Sequence, residues 1–258
     1  MSRSVCGLIT SLVACATLTA SALAAGVPAY IEKAVADSSR PDTDRQRDES
    51  RKPAETLAFA GIKPGQKVAE LMPGRGYFTR LLSKIVGEKG HVFALAPPPR
   101  PNAPPNAPNM TAAAQALAQE PGYGNITVLP LPMGQESGLG VPEPVDVVWT
   151  SNNYHDFHNI PNADMAAFNK RVYEALKPGG LYIVVDHAAA AGAGVSVTRT
   201  LHRIDPEAAK SEITAAGFKF VGSSDVLHNA EDTHTSPVFD AAVRGHTDQF
   251  ILKFQKPK

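Results

Sequence analysis

The stretch that decides the fold is KVAELMPGRGYFTRLLSKIV, residues 67–86. Its first five residues are a short apolar run entered from a Pro64-Gly65 turn, and the run ends in the glycine-containing loop Met72-Pro73-Gly74-Arg75-Gly76. Phe78, Leu81, Leu82 and Ile85 then recur at helical spacing, which predicts a helix that opens directly from the loop and lays one apolar stripe on a sheet. A second strand is expected over 92–95. A parallel pair joined by a right-handed crossover helix places the loop, and any ligand, at the carboxyl ends of the strands.

The alternation continues downstream. An Ala-rich helix is expected over 110–119, a third strand over 126–129 and a buried fourth strand over 145–150, which runs into the polar cluster Asn152-Asn153-Tyr154-His155-Asp156-Phe157-His158. Asn162 is read as the cap of a helix that carries Met165, Phe168, Val172 and Leu176 on one face. Lys177-Pro178-Gly179-Gly180 turns the chain into a fifth strand over 181–185, Asp205-Pro206-Glu207 opens a helix that ends at Gly217, and strands follow over 218–221 and 250–254. One α/β domain with one core is the economical reading.

Upstream, Pro53 and Gly61 bracket a short helix over 54–60. From Asp37 to Lys52 nearly every residue is polar, with Arg40, Arg45, Arg47 and Arg51 interleaved among Asp42, Asp44, Asp48 and Glu49. That pattern predicts a solvated helix or linker whose charges pair at the surface, and no chemistry is assigned to it. Residues 1–24 carry one cation, Arg3, and the run Leu8 to Ala24 is uncharged and ends in Ala22-Leu23-Ala24. A secretory signal is expected, and with it export to the periplasm. Leu12-Val13-Ala14-Cys15 also resembles a lipobox, an alternative weakened by the apolar run that continues past the cysteine. Leu and Ile are too sparse for the ~20 apolar residues of a membrane span. Both cysteines, Cys6 and Cys15, fall in this segment, so the cleaved chain holds no disulfide, thiolate metal ligand or Cys nucleophile. The expected organisation is a signal over 1–24, a charged lead-in over 25–52 and a domain over 53–258. The 25 basic residues balance the 25 acidic ones, which excludes an electrostatic case for nucleic acid as a partner.

Two clusters offer chemistry. Gly74 and Gly76 let backbone approach a ligand closely, and the amides of the following helix point to the same place. A dinucleotide site would want a third glycine where Thr79 stands, and a close-packed turn without ligand is the plain alternative. The second cluster follows the fourth strand, and Asp186-His187 follows the fifth; neighbouring strands lie about 4.8 Å apart, so their tips share one cleft. His155 or Asp156 is expected there to take a proton from a nucleophile. His155, Asp156, His158, Asp186 and His187 also supply donors suited to zinc, nickel or manganese. The His155-x-x-His158 spacing is not specific, and a hydrogen-bonded polar cap explains it equally, so no metal ligands are assigned. His202, His228, His234 and His246 are read as surface or structural residues.

Glu70 with Pro73-Gly74-Arg75-Gly76, the Lys177-Pro178-Gly179-Gly180 turn before a strand, and the closing strand together resemble class I S-adenosylmethionine-dependent methyltransferases, over roughly residues 53 to 258. The Glu-Leu-x-Pro-Gly-x-Gly-Tyr loop, with Tyr-His-Asp after the fourth strand, resembles more narrowly a group of exported bacterial predicted methyltransferases. The resemblance implies a Rossmann-like three-layer sandwich around a mostly parallel seven-stranded sheet, its last strand inserted antiparallel between the fifth and sixth. It implies S-adenosylmethionine as cofactor, held by Glu70, Pro73, Gly74 and Gly76, with Glu70 accepting from the ammonium group and Tyr77 or Tyr154 turned to the sulfonium. His155 and Asp156 would lie near the reacting centre, and the acceptor would be a small molecule. Three features depart from the pattern. Met72 replaces the usual first loop glycine. Ala96 replaces the acid that ends strand two and holds the ribose, and a proline run from Pro97 to Pro108 follows it. Strand three ends in Pro130-Leu131-Pro132. The alternative is an exported non-catalytic binding protein that reuses the fold, with a divalent metal at the tips of strands four and five.

Overall fold

Near-continuous apolar runs such as Val145 to Thr150 form strands that are buried on both faces, the signature of a sheet with helices on each side. The structure, a computed structural model, describes residues 26–98, 109–133 and 138–258. The expected signal segment with Cys6 and Cys15, and the proline run from Pro99 to Pro108, lie outside those residues. The strands are β1 Lys67–Leu71, β2 His91–Ala96, β3 Ile126–Pro130, β4 Val145–Ser151, β5 Leu176–His187, β6 Lys219–Ser224 and β7 Gln249–Gln255. They form one sheet in the order β3-β2-β1-β4-β5-β7-β6. All pairings are parallel except those of β7, which runs antiparallel to both β5 and β6. The expected seven-stranded topology is therefore present, with the last strand inserted where the resemblance put it.

The two-residue period of the strands divides the core. Ala69, Leu71, Phe93, Leu95, Val148 and Tyr182 pack on the face covered by α7 Tyr154–Phe157, α8 Met165–Ala175 and α9 Pro206–Ala215. Val68, Val92, Ala94, Val147, Trp149 and Ile183 pack on the opposite face, under α1 Ala29–Val35, α4 Pro53–Ala60, α5 Tyr77–Val86 and α6 Met110–Ala118. The stripe Phe78, Leu81, Leu82 and Ile85 is buried as its spacing predicts. Among the described residues no helix is long and apolar enough to cross a membrane.

Three local expectations are corrected. The cap of α8 is Asp164, whose side chain accepts from the Ala167 amide at 2.9 Å, and not Asn162, which takes a left-handed φ of 59° in the preceding turn. Leu176 belongs to β5 rather than to the helix, because the strand begins before the Lys177-Pro178-Gly179-Gly180 turn and its pairing with β4 shifts register between Val145 and Val147. The charged lead-in is not a solvated linker. It forms α1, α2 Asp42–Arg45 and α3 Asp48–Arg51, with Arg40 1% exposed and gripping Asp48 through two hydrogen bonds of 2.8 and 2.6 Å. Asp44, itself buried, meets Arg80 of α5 at 3.1 Å. The arginine stems supply apolar cover while their heads find carboxylates, which composition alone does not reveal.

At the other end of the sheet, Arg203 is fully buried and holds Asp232 at 2.7 and 3.1 Å, tying the loop between β6 and β7 to the segment before α9. Removing one partner of a buried pair strands the other charge. Asp232→Ala is therefore expected to lower the free energy of unfolding by about 3–5 kcal/mol, read as a shifted urea midpoint, whereas Asp240→Ala on the exposed part of the same loop should leave it unchanged.

Candidate functional site at the carboxyl ends of β1, β4 and β5

Glu70 is the penultimate residue of β1 and shares the α5 face with Val68, two residues before it. It is 3% exposed, and its Oε2 finds no hydrogen-bond partner among the described residues. Burial pushes its carboxyl up to about 7, against the opposing pull of the Thr79 hydroxyl and the Arg51 charge. A buried carboxyl with an unused oxygen is a group prepared for a cation.

The loop after Glu70 opens one side of this position. Met72 takes a φ of 51° and donates its amide to the Leu95 carbonyl at 2.9 Å, so it adopts the left-handed backbone that glycine usually supplies. Its side chain packs with Ala69 and Leu71 on the opposite face of the sheet, away from Glu70. Pro73 is buried and its carbonyl accepts from the Gly76 amide at 2.9 Å, closing the turn. At Gly74, φ 59°, the space a Cβ would occupy has nothing within 4 Å, whereas at Gly76, φ 83°, a Cβ would lie 2.5 Å from Leu117 Cδ2. Gly74 is thus the open approach and Gly76 a packing requirement. The first-turn amides of α5 lack intrahelical acceptors and carry the positive end of the helix dipole.

The lead-in completes the wall. Arg51 stacks its guanidinium on Tyr77 at 4.6 Å and Phe78 at 5.6 Å. Burial and the nearby Arg47 lower it to about 10, which leaves it a cation at neutral pH. Among the described residues no carboxylate reaches it within ion-pair distance. The sequence reading missed Arg51 because a charged run is ordinarily a solvated face. The same arginines correct the role expected of Tyr77: its ring faces Arg40, Arg47 and Arg51 at 5.5, 5.3 and 4.6 Å, and its hydroxyl donates to Asp48 at 2.6 Å. No ring face remains for a sulfonium. At the end of β2, Ala96 is buried and offers no side-chain acceptor.

The tip of β4 is stitched to the same loop. Asn153 Nδ2 donates to the carbonyls of Ser151 at 2.7 Å and Met72 at 3.3 Å. His155, 2% exposed, has Nδ1 2.7 Å from Asp186 Oδ1, and its own amide donates to Asp186 Oδ2 at 2.8 Å. Asp156 Oδ1 lies 3.3 Å from His155 Nε2 and 3.2 Å from His202 Nδ1. Burial disfavours a charged His155 ring, but Asp186 and Asp156 outweigh it and push the imidazolium up to about 10. Burial works against the Asp156 carboxylate too, yet the two histidines hold it below its ordinary range. A ring that keeps its proton is a poor base, and Asp156 is the ionised, part-exposed member of the pair.

Tyr154 is likewise committed elsewhere. It is fully buried, accepts from Asn169 Nδ2 at 2.8 Å and donates to Glu212 Oε2 at 2.9 Å, so its ring belongs to the core and not to a cleft. His158 turns to Glu212 at 3.2 Å. His187 meets Thr247 at 2.8 Å, and burial depresses it to about 4, keeping it neutral. In their place comes His202, which carries no local signal in the sequence and arrives only through the loop after β5. Two cavities, of about 630 and 280 Å³, include neither Glu70 nor His155; the larger lies at the amino ends of the strands beside Gly87, His91 and Asn125.

No protein-family model matches the chain. It is 28% identical over 131 residues to the ubiquinone/menaquinone biosynthesis C-methyltransferase UbiE of Vibrio vulnificus, a match that takes in 51% of this chain and 45% of that protein. The chain thus spans about half the length of the curated relatives it matches. A SAM-dependent methyltransferase from Aquifex aeolicus superposes with a TM-score of 0.55 at 19% identity, covering 84% of this chain and 98% of that one. The fold is that of the class I methyltransferases. Fibrillarin from Aeropyrum pernix, solved with natively bound S-adenosyl-L-methionine, shares it at a TM-score of 0.50 and 14% identity, over 81% of this chain and 76% of that one.

The raised Glu70 pKa carries a stability consequence. The folded chain holds a proton that the unfolded chain releases from about 4.5 upward, so stability is full below pH 4.5 and is lost as pH rises through 7. Glu70→Gln, which mimics the neutral acid, avoids the loss. Thermal unfolding should show equal stabilities at pH 4.5 and a variant more stable by about 2–3 kcal/mol at pH 8.

Proposed function

We propose that the chain binds S-adenosylmethionine at the β1–α5 junction and directs methyl transfer to a small-molecule acceptor held over the tips of β4 and β5. The observation that carries this reading is the buried oxygen of Glu70 that finds no partner among the described residues, with the charge of Arg51, which no described carboxylate pairs, acting on it. Glu70 and Arg51 together complement an amino-acid zwitterion: the carboxylate takes the ammonium, and the guanidinium takes the α-carboxylate. Gly74 admits the ligand beside the backbone, and the α5 amides add positive potential. The cofactor, when bound, supplies an electrophilic methyl on its sulfonium. With Ala96 at the end of β2, affinity rests on the amino-acid end more than on a ribose carboxylate.

On the acceptor side, Asp156 is the ionised, part-exposed group and takes the acceptor's proton. His155, locked by Asp186, fixes where that carboxylate stands, and holding two reactants in register supplies most of the acceleration such a site needs. Export to the periplasm belongs to the same proposal and is supported by the uncharged run Leu8 to Ala24.

Isothermal titration calorimetry of the chain with S-adenosylmethionine and S-adenosylhomocysteine tests the reading. Binding at pH 7 should release about half a proton, because Glu70 with a pKa of about 7 must ionise to receive the ammonium. Glu70→Gln and Arg51→Met should each weaken binding at least tenfold, and Glu70→Gln should abolish the proton release. No heat with either ligand at millimolar concentration would remove the cofactor and leave only the architecture.

A further inference from the structure

The cluster at the acceptor side contains a feature that methyl transfer does not require. His155 Nε2 is buried and among the described residues has no partner in hydrogen-bond geometry, although Asp156 Oδ1 lies 3.3 Å away. His202 Nδ1 lies 3.2 Å from the same oxygen, and the three ligand atoms fall within 4.8 Å of one another. A first-row divalent ion with bonds of about 2.0–2.2 Å sets neighbouring ligand atoms about 3.0–3.5 Å apart, so two of the three separations already match. Rotation of the His202 ring, 31% exposed at its side chain, closes the third.

We propose that His155 Nε2, Asp156 and His202 Nδ1 form a binding site for a first-row divalent cation such as zinc. The outer support is present: Nδ1 of His155 faces Asp186 at 2.7 Å, the carboxylate–histidine arrangement that fixes the tautomer and aims the other nitrogen at a metal. Asp186 is itself saturated by the amides of His155 and His187, each at 2.8 Å, so it orients the ring rather than competing for the ion. Two imidazoles and one carboxylate suit zinc, iron, cobalt, nickel or manganese better than magnesium or calcium. Three protein ligands leave a position open, the pattern of sites that meet a substrate rather than brace a fold. The open side faces outward, where the Asp156 side chain is 36% exposed. Resting on the methyl-transfer reading, the ion would take over the part given to Asp156 there: as a Lewis acid on the acceptor's oxygen or sulfur it would lower the pKa of that group, so that its proton passes to water. The other histidine pair, His228 and His234, is excluded as a site because each ring engages its own oxygen of Asp248, both at 2.9 Å.

The test is zinc binding by the full-length chain, counted by mass spectrometry after dialysis against a zinc buffer. One zinc per wild-type chain is expected, with affinity at least tenfold lower in His202→Ala and Asp156→Asn and unchanged in His234→Ala, far-UV circular dichroism confirming that each is folded. Cobalt in place of zinc provides a second reading on the wild type alone, a ligand-field band distinct from that of the aqueous ion. Wild type without stoichiometric metal, equal affinity in both ligand variants, or a cobalt spectrum identical to the aqueous ion would overturn the site. Zinc is measured without S-adenosylmethionine, so lost zinc with intact cofactor heat sinks this inference alone, and the converse sinks only methyl transfer.

Discussion

A carboxyl group taken out of water at the end of the first strand sets the terms for everything around it. Desolvation of Glu70 disfavours its charge, and among the described residues nothing uses its second oxygen. Such a group destabilises the folded chain above neutral pH unless a cation arrives. The loop that follows is shaped around that vacancy of charge: Gly74 leaves room, Met72 accepts a left-handed backbone to keep its side chain on the other face, and α5 starts with its positive end toward the same point.

The charged lead-in belongs to this site rather than to solvent. Arg40, Arg47 and Arg51 surround the Tyr77 ring, and the Tyr77 hydroxyl and Arg40 converge on Asp48. Tyr77 therefore works as a spacer that packs Arg51 where its charge acts on Glu70. At the tips of β4 and β5 the same logic recurs with the sign reversed, since Asp186 and Asp156 favour positive charge on His155. The two halves are stitched directly by Asn153, whose amide spans from β4 to the loop after β1.

The fold was legible where local rules and burial agree. The β1–α5 junction and the stripe on α5 follow from apolar period and from glycine and proline punctuation, and tertiary packing had no reason to override them; the place of the last strand between β5 and β6 was expected from the resemblance alone. Legibility failed where partners are distant in the chain. Arg51 reads as one charge among many until Tyr77 and Glu70 are brought to it. His202 is invisible beside Asp156 because 46 residues separate them. Asn162 looked like the helix cap because asparagine suits both a cap and a left-handed turn, and Asp164 took the cap. Tyr154 and Tyr77 looked like cleft residues because position beside a motif does not say which way a ring points.

Everything else depends on Glu70 standing about half protonated at pH 7 until an ammonium group meets it. Carbon-13 NMR of labelled glutamate carboxyls, assigned through Glu70→Gln, reads this directly. The Glu70 signal should titrate near pH 7 in the free chain and fall well into the acid range with saturating S-adenosylhomocysteine. A signal that titrates near the ordinary value of 4.5 in both states would contradict it.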